Sequence, residues 1–336
     1  MKQTKIIAEI GVNHNGRIST AKKLIDKAKI CGADYVKFQI YKTEEMAVKE
    51  LTKAPYQSRS YFRKKENQFQ MLKKYELSFK EHLKIYNYCK RKKIKYLASV
   101  FDLQSLKFYE KLNFDYYKIP SSELSNYPLL KNFSKLNKKI ILSTGMSEKK
   151  EIAGTLKLLL KIGFKKKNIT LLHCNSSYPT PLNEINLNKM ISLKNFFKTT
   201  IGYSDHTKGF ESAIVAASMG ATIIEKHVTI NKNMKGPDHS ASLEFNELER
   251  MINFVRNLSK VLGNGKIKIS KSEKENILKA KKFLIAKEAI KKGQKFSETN
   301  LTSKRIGKKG IEADRFLTLL GKVAKKNFYK NEIIKI

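Results

Sequence analysis

Eight short apolar runs, each followed by a helix-patterned stretch, occupy the chain from Lys5 to Leu262 and constrain its fold more than any other feature. The runs are Lys5–Ile10, Tyr35–Ile40, Tyr96–Val100, Tyr116–Ile119, Ile140–Ser143, Thr170–His173, Thr200–Tyr203 and Thr222–His227. They are rich in Ile, Val, Leu and Tyr, as suits strands covered on both faces. The stretches Thr20–Ile30, Phe79–Lys90, Leu103–Lys111, Tyr127–Leu136, Lys149–Ile162, Asn188–Phe197, Gly209–Ser218 and Phe245–Leu262 carry apolar residues at helical spacing. Eight such units predict a (β/α)8 barrel over residues 1–262, with its site at the C-terminal ends of the strands. An insertion around Met46–Gln70 lengthens the second connection, the kind of loop that covers a site.

The pattern changes after Leu262. Gly263-Asn264-Gly265 and the polar run Ser270–Asn276 predict a linker over 263–278. From 279 to 336, short apolar segments joined by turns predict a compact, mostly β domain. A unit of that size is marginal alone and is expected to dock, for instance against a neighbouring subunit's active site.

Lys and Arg number 69 against 30 Asp and Glu, a formal charge of +39 that raises nucleic acid or an anionic membrane as partners. The lysines are spread along the whole chain, in short clusters such as Lys90-Arg91-Lys92-Lys93 at positions expected to face solvent. That spread points to compositional drift, and neither nucleic acid nor membrane is expected as a partner. Three cysteines without CxxC spacing suggest reduced thiols. No run is long and apolar enough for a signal peptide or a membrane span, so a cytoplasmic protein is expected.

Chemistry-bearing residues gather at the ends of the runs. His206 and His227 close the seventh and eighth, 21 positions apart with one helix-length stretch between them. One βαβ unit therefore brings both imidazoles to the same rim. Either alone is better explained by an ordinary hydrogen bond. The pair, with Asp205 and Glu225 beside it, points to a divalent metal, for which Mn²⁺, Co²⁺ or Zn²⁺ suits imidazole better than Mg²⁺. Lys37 and Lys118 lie inside apolar runs, where a charge is costly unless paired or used. With hydroxyls on adjacent strand ends they suit a phosphate or carboxylate. His14 and His239 are weaker candidates for further ligands, and the Gly236-Pro237 turn is placed to swing Asp238 over the rim. His173 and Cys174 are expected to pack beneath.

These residues resemble the sialic acid synthases, phosphoenolpyruvate-condensing enzymes that make N-acetylneuraminate and its relatives legionaminate and pseudaminate. The motifs that carry the resemblance are Glu9-Ile10-Gly11-Val12-Asn13-His14-Asn15-Gly16, Lys37-Phe38-Gln39, Ser143-Thr144-Gly145-Met146, Tyr178-Pro179-Thr180-Pro181, Ser204-Asp205-His206 and Gly236-Pro237-Asp238. The segment 279–336 resembles the family's antifreeze-like (SAF) domain. The resemblance implies that His206 and His227 hold the catalytic metal, usually Mn²⁺, with Mg²⁺ or Co²⁺ as alternatives. It implies that Lys37, Lys118, Ser121, Ser143 and Ser204 hold phosphoenolpyruvate. Glu9, Gln39 and Asp238 match positions that act on the acceptor sugar and the attacking water, with Glu9 or Asp238 as general base. Tyr178, Gln57 and Arg305 match acceptor-sugar contacts, Arg305 reaching across a domain-swapped homodimer.

The chain departs from the family's pattern at several places. Ala98-Ser99-Val100-Phe101 replaces Ser-Thr-Pro-Phe, which implies one lost hydroxyl at the phosphate side. Ser122 replaces a common Gly, Ser176 an Asn of some members, and Ile306 a Pro after Arg305. The expected reaction joins phosphoenolpyruvate, an N-acetylated amino sugar and water into a nine-carbon 2-keto acid and phosphate, with C–O cleavage. N-acetylmannosamine is the expected acceptor, with 2,4-diacetamido-2,4,6-trideoxymannose as the alternative. Rivals are a basic nucleic-acid-binding or scaffold protein on an inactive barrel, marked by salt-sensitive binding, and a 3-deoxy-octulosonate synthase.

Overall fold

The structure is a computed structural model describing residues 3–54, 57 and 66–336. Eight parallel strands close into a barrel in chain order. They are β1 (Lys5–Gly11), β2 (Tyr35–Ile40), β3 (Lys95–Val100), β4 (Tyr116–Ile119), β5 (Lys139–Ser143), β6 (Ile169–His173), β7 (Thr200–Asp205) and β8 (Ile223–His227). The covering helices are α1 (Ile18–Ile30), α2 (Phe79–Lys92), α3 (Leu103–Glu110), α4 (Tyr127–Leu130), α5 (Lys149–Lys161), α6 (Asn188–Phe197), α7 (Glu211–Ser218) and α8 (Phe245–Leu262). The fold is thus a TIM-type barrel followed by a small second unit, and the chain divides at Gly263/Asn264.

Strand periodicity builds the barrel in layers. Successive side chains point to opposite faces, so Ile6, Ala8 and Ile10 of β1, with Val36, Phe38 and Ile40 of β2, pack outward in the strand–helix core. Their alternates point inward. The lower interior layer is Ile7, Tyr35, Leu97, Tyr116, Ile141, Leu172 and Ile223, one residue from every strand except β7. There Gly202 stands instead, because a Cβ would lie 2.5 Å from Leu172 Cδ2. Two residues further along each strand the interior turns polar. The helices follow their own signals: α2 starts at a Ser78/Glu81 capping box, and α8 buries Leu248, Met251, Ile252 and Val255 at helical spacing.

Two stretches differ from expectation. The helix expected over Tyr127–Leu136 ends at Leu130. Ser134 beyond it donates through its amide and hydroxyl to Glu110 of α3, which holds the chain in turns. The polar run expected as linker instead forms a helix, α9 (Lys271–Ala280), started by a Ser270/Glu273 capping box and burying none of its residues. The second unit pairs β9 (Phe283–Ala286) antiparallel with β10 (Leu301–Lys304). Isolated bridges such as Ile285↔Ile333 and Ile290↔Phe328 extend the pairing around a core that includes Leu284, Ile290, Phe296 and Phe328. Among the described residues, no helix is long and apolar enough to cross a membrane.

His82 of α2 makes acid stability testable. The ring is fully buried, Nδ1 meets Tyr96 OH at 3.1 Å, and Nε2 has no partner. Burial pulls its pKa from 6.5 down to about 3. The folded value lies below the unfolded one, so this contribution is complete above pH 6.5 and is lost as pH falls toward 3. The slope is at most about 1.4 kcal/mol per pH unit. Urea unfolding at pH 7.5 and 5 should therefore show a loss of stability that His82→Gln reduces. An unchanged pH slope in the variant would contradict a buried neutral ring.

Candidate active site

The polar interior layer is built from residues that sit two positions beyond the apolar one. Register places Glu9 beside both Lys37 and His227, Ser99 beside both Gln39 and Lys118, and Ser204 beside Glu225. Lys37 Nζ lies 3.0 Å from Glu225 Oε1 and 3.3 Å from Glu9 Oε2, and donates to Ser99 Oγ at 3.4 Å. Lys118 Nζ donates to Ser143 Oγ at 2.8 Å and lies 3.7 Å from the same Glu225 oxygen. Ser204 donates to that oxygen at 2.9 Å, and Gln39 Nε2 reaches Glu9 Oε1 at 3.5 Å. All four charged residues are buried.

Burial and charge work against each other here. Burial pushes Glu9 up to about 7 despite Lys37. It opposes ionisation of Glu225 as well, but Lys118 and Lys37 outweigh it and hold that carboxylate well below its usual value. Lys118 is pulled down to about 8 by burial, whereas Glu225 and Glu9 outweigh burial at Lys37 and raise it. With Glu9 partly protonated near neutrality, two ammonium groups face one firm carboxylate. The layer carries a residual positive charge, suited to an anion.

The histidines stand above this layer. Their ring centroids are 5.6 Å apart, and Tyr178 stacks on His206 at 4.0 Å. Burial pulls His206 down to about 4 and His227 well below the ordinary range, so both rings are neutral. His206 Nδ1 meets the carbonyl of Asn175, which only accepts, so Nδ1 carries the proton. The hydroxyl of Ser204 has one proton and gives it to the nearer Glu225, which leaves the His206 Nε2 lone pair unclaimed at 3.3 Å. His227 Nδ1 is buried without a partner, with Asp238 Oδ2 at 3.9 Å, beyond hydrogen-bond reach. Gly11, at φ +52, is needed beneath them: a Cβ would sit 3.1 Å from Glu9 Oε1 and 3.4 Å from the His227 ring.

Glu9, Lys37, Gln39, Gln57, Lys118, Ser121, Ser143, Tyr178, Ser204, His206 and His227 all line one cavity of about 330 Å³. That size suits a small-molecule site. Ser121 Oγ accepts from Gly145 N and touches Cys174 Sγ at 3.2 Å. Gln57 comes from the long second connection, where its Oε1 accepts from Ala54 N and Gln68 Nε2. A larger cavity of about 940 Å³ between α5 and α6 shares Met146, Cys174 and Ser176 with it but holds none of the charged layer. The chemistry places the site in the smaller one.

Several expectations need correction. Asp238 is buried and is not among the cavity-lining residues; its Oδ2 lies 3.9 Å from His227 Nδ1, on the side of the ring's unpartnered nitrogen. Arg305 lies in the second unit as expected, exposed directly after β10, and is carried into the proposal below. Asp205 faces away from the histidines' cavity, because alternation along β7 turns it outward from Ser204 and His206. Glu225 does point inward, but to the lysines. His14 accepts from Gly16 N, His239 is taken up by Thr229 and Asn15, and neither lines the cavity with His206 and His227. Cys174 does not pack beneath the site; it lines it.

The departure at Ala98 and Val100 costs the site nothing, since both pack outward while Ser99 points in. Ser99 is the residue that sequence reasoning missed. It lies two positions after the inward Leu97, as Lys37 does after Tyr35, and that parity was the available signal. Ser122 and Ser176 do line the cavity.

Comparison with known proteins agrees with this geometry. Residues 24–267 match the NeuB family and residues 281–336 the SAF domain. The chain is 49% identical over 335 residues to the N,N'-diacetyllegionaminic acid synthase of Campylobacter jejuni, with 100% of both chains covered. A synthase of the same name from Legionella pneumophila is 35% identical over 94% of this chain and 89% of its own length. The solved N-acetylneuraminic acid synthetase of Leptospira borgpetersenii, in complex with citrate, matches with a TM-score of 0.70 and 32% identity, covering 82% of this chain and 90% of that one.

Proposed function

The chain belongs to the NeuB family, and from that premise we propose that it joins phosphoenolpyruvate, 2,4-diacetamido-2,4,6-trideoxymannose and water, giving N,N'-diacetyllegionaminate and phosphate. It is a sialic-acid-type synthase, a phosphoenolpyruvate-dependent transferase. The observation that carries the chemistry is the pair of buried lysines converging on Glu225 at the floor of a cavity capped by two neutral imidazoles.

In this reading Lys37 and Lys118, with the hydroxyls of Ser121, Ser143 and Ser204, hold the carboxylate and phosphate of phosphoenolpyruvate. Both ammonium groups are in place before the substrate arrives, so little reorganisation is needed. Phosphoenolpyruvate C3 attacks the aldehyde carbon of the open-chain sugar, and water adds at C2. Glu9, with its pKa near neutrality, takes the proton of that water. Phosphate departs with C–O cleavage. Tyr178 and Gln57 flank the acceptor.

The donors present fit a divalent cation. Two neutral rings with an unclaimed Nε2 and a partnerless Nδ1 are in ligand form. Among the described residues no group of three or more His, Cys, Asp or Glu is placed to hold a metal ion, so the site proposed here consists of the two imidazoles. His206 and His227 would hold Mn²⁺, with Mg²⁺ or Co²⁺ as alternatives, and the bound cation would polarise the aldehyde oxygen as a Lewis acid. A homodimer in which Arg305 meets the partner's sugar completes the proposal.

The relatives named for diacetyllegionaminate are what move the acceptor away from N-acetylmannosamine. Phosphate release measured with both sugars tests the order. A kcat/KM at least tenfold higher with the diacetamido sugar supports it, and equal or reversed values overturn it.

A further inference from the structure

Behind the two histidines, on the outer face of the barrel, lies a second buried ionic cluster that the reaction above does not use. Lys226 and Asp205 have side chains wholly excluded from solvent, and Lys226 Nζ lies 3.0 Å from Asp205 Oδ2. The same nitrogen donates to the backbone carbonyl of Thr207 at 2.7 Å. Asp205 Oδ1 accepts from Thr207 N at 2.9 Å and from Thr207 Oγ1 at 2.8 Å, while Ser212 of α7 donates to Oδ2 at 2.9 Å. A buried ion pair offers little net stability over an apolar replacement. The placement of this one is specific. Lys226 immediately precedes His227, and it grips the residues on both sides of His206 from the neighbouring strand, where Asp205 and Lys226 are register partners.

We propose that Lys226, Asp205 and Thr207 are positioning residues, a brace that fixes the backbone of His206 relative to His227 so that both imidazoles converge on one ion. Side-chain contacts hold the His206 ring through the Asn175 carbonyl and, at 3.3 Å, Ser204 Oγ, but neither fixes its backbone against His227. The brace rests on the metal-binding reading above for its purpose, while its geometric effect stands apart from it.

The test uses the full chain. Lys226→Met alone strands a buried carboxylate and risks unfolding, so the informative variant is the double Asp205→Asn/Lys226→Met, supported by Thr207→Val. Mn²⁺ binding to metal-stripped protein is followed by electron paramagnetic resonance, phosphoenolpyruvate binding by calorimetry without metal, and the ring positions by crystallography. The brace predicts at least tenfold weaker Mn²⁺ binding and ring centroids moved from 5.6 Å by more than about 1 Å, with phosphoenolpyruvate affinity within twofold of wild type. Unmoved rings with Mn²⁺ affinity within twofold overturn it. Equal losses for Mn²⁺ and phosphoenolpyruvate also overturn it, since they indicate general loosening. If wild type binds no Mn²⁺, the metal reading fails, and the ring positions alone decide the brace.

Discussion

His206→Ala is expected to lower turnover about 10³-fold or more while leaving the barrel folded. Polarisation of a carbonyl by a bound cation is worth several kcal/mol, and each 1.4 kcal/mol is about a factor of ten in rate. The ring's contacts are with Tyr178, His227, Ser204 and the Asn175 carbonyl, at the edge of a cavity, so the structural cost is small. Phosphate release, metal content and circular dichroism on the same sample separate the effects. Near-normal turnover in a rigorously metal-free variant would remove the metal from the account.

Lys37→Met should act on stability and catalysis together. Its ammonium is shared between Glu9 and Glu225, both buried. Removing one member of such a cluster costs about 3–5 kcal/mol, because the charges left behind stay out of water. The loss should shrink as pH falls from 8 to 5, since the stranded carboxylates can then protonate. On the catalytic side, losing one preformed donor to the phosphate is worth on the order of 10²–10³ in kcat/KM. Lys37→Arg should recover the charge but little of the activity, because a planar fork does not fit a point held at 3.0 and 3.3 Å from two carboxylates. Denaturant melts at both pH values and kcat/KM for phosphoenolpyruvate check both halves. Wild-type kinetics in Lys37→Met would contradict the anion-binding role.

Much of this was legible in the sequence because two simple periods govern the barrel. Alternation along strands places Glu9, Lys37, Lys118 and Glu225 on the inner face from their spacing alone, once Ile7, Tyr35, Tyr116 and Ile223 are seen as the layer below. The same alternation turns Asp205 outward, so it adds nothing to the case for a metal at the histidine pair. Other features depend on contacts remote in sequence. The early end of α4 is imposed by Glu110 on Ser134, 24 residues away. Asp238 comes from a loop with no period, so its place beside His227 Nδ1 could not be read from spacing. The helix α9 carried its capping box in plain view, but the polar run Ser270–Asn276 that opens it concealed it.

The sequence placed N-acetylmannosamine ahead of the diacetamido sugar, and the relatives favour the reverse order. The reaction type rests on the polar layer, and there a single measurement is decisive. Phosphoenolpyruvate labelled with ¹⁸O at its bridging oxygen, incubated with enzyme, Mn²⁺ and the diacetamido sugar, should yield labelled phosphate and an unlabelled nine-carbon keto acid by mass spectrometry. Label retained in the keto acid, or phosphate released without any keto acid, would contradict the condensation assigned to this site.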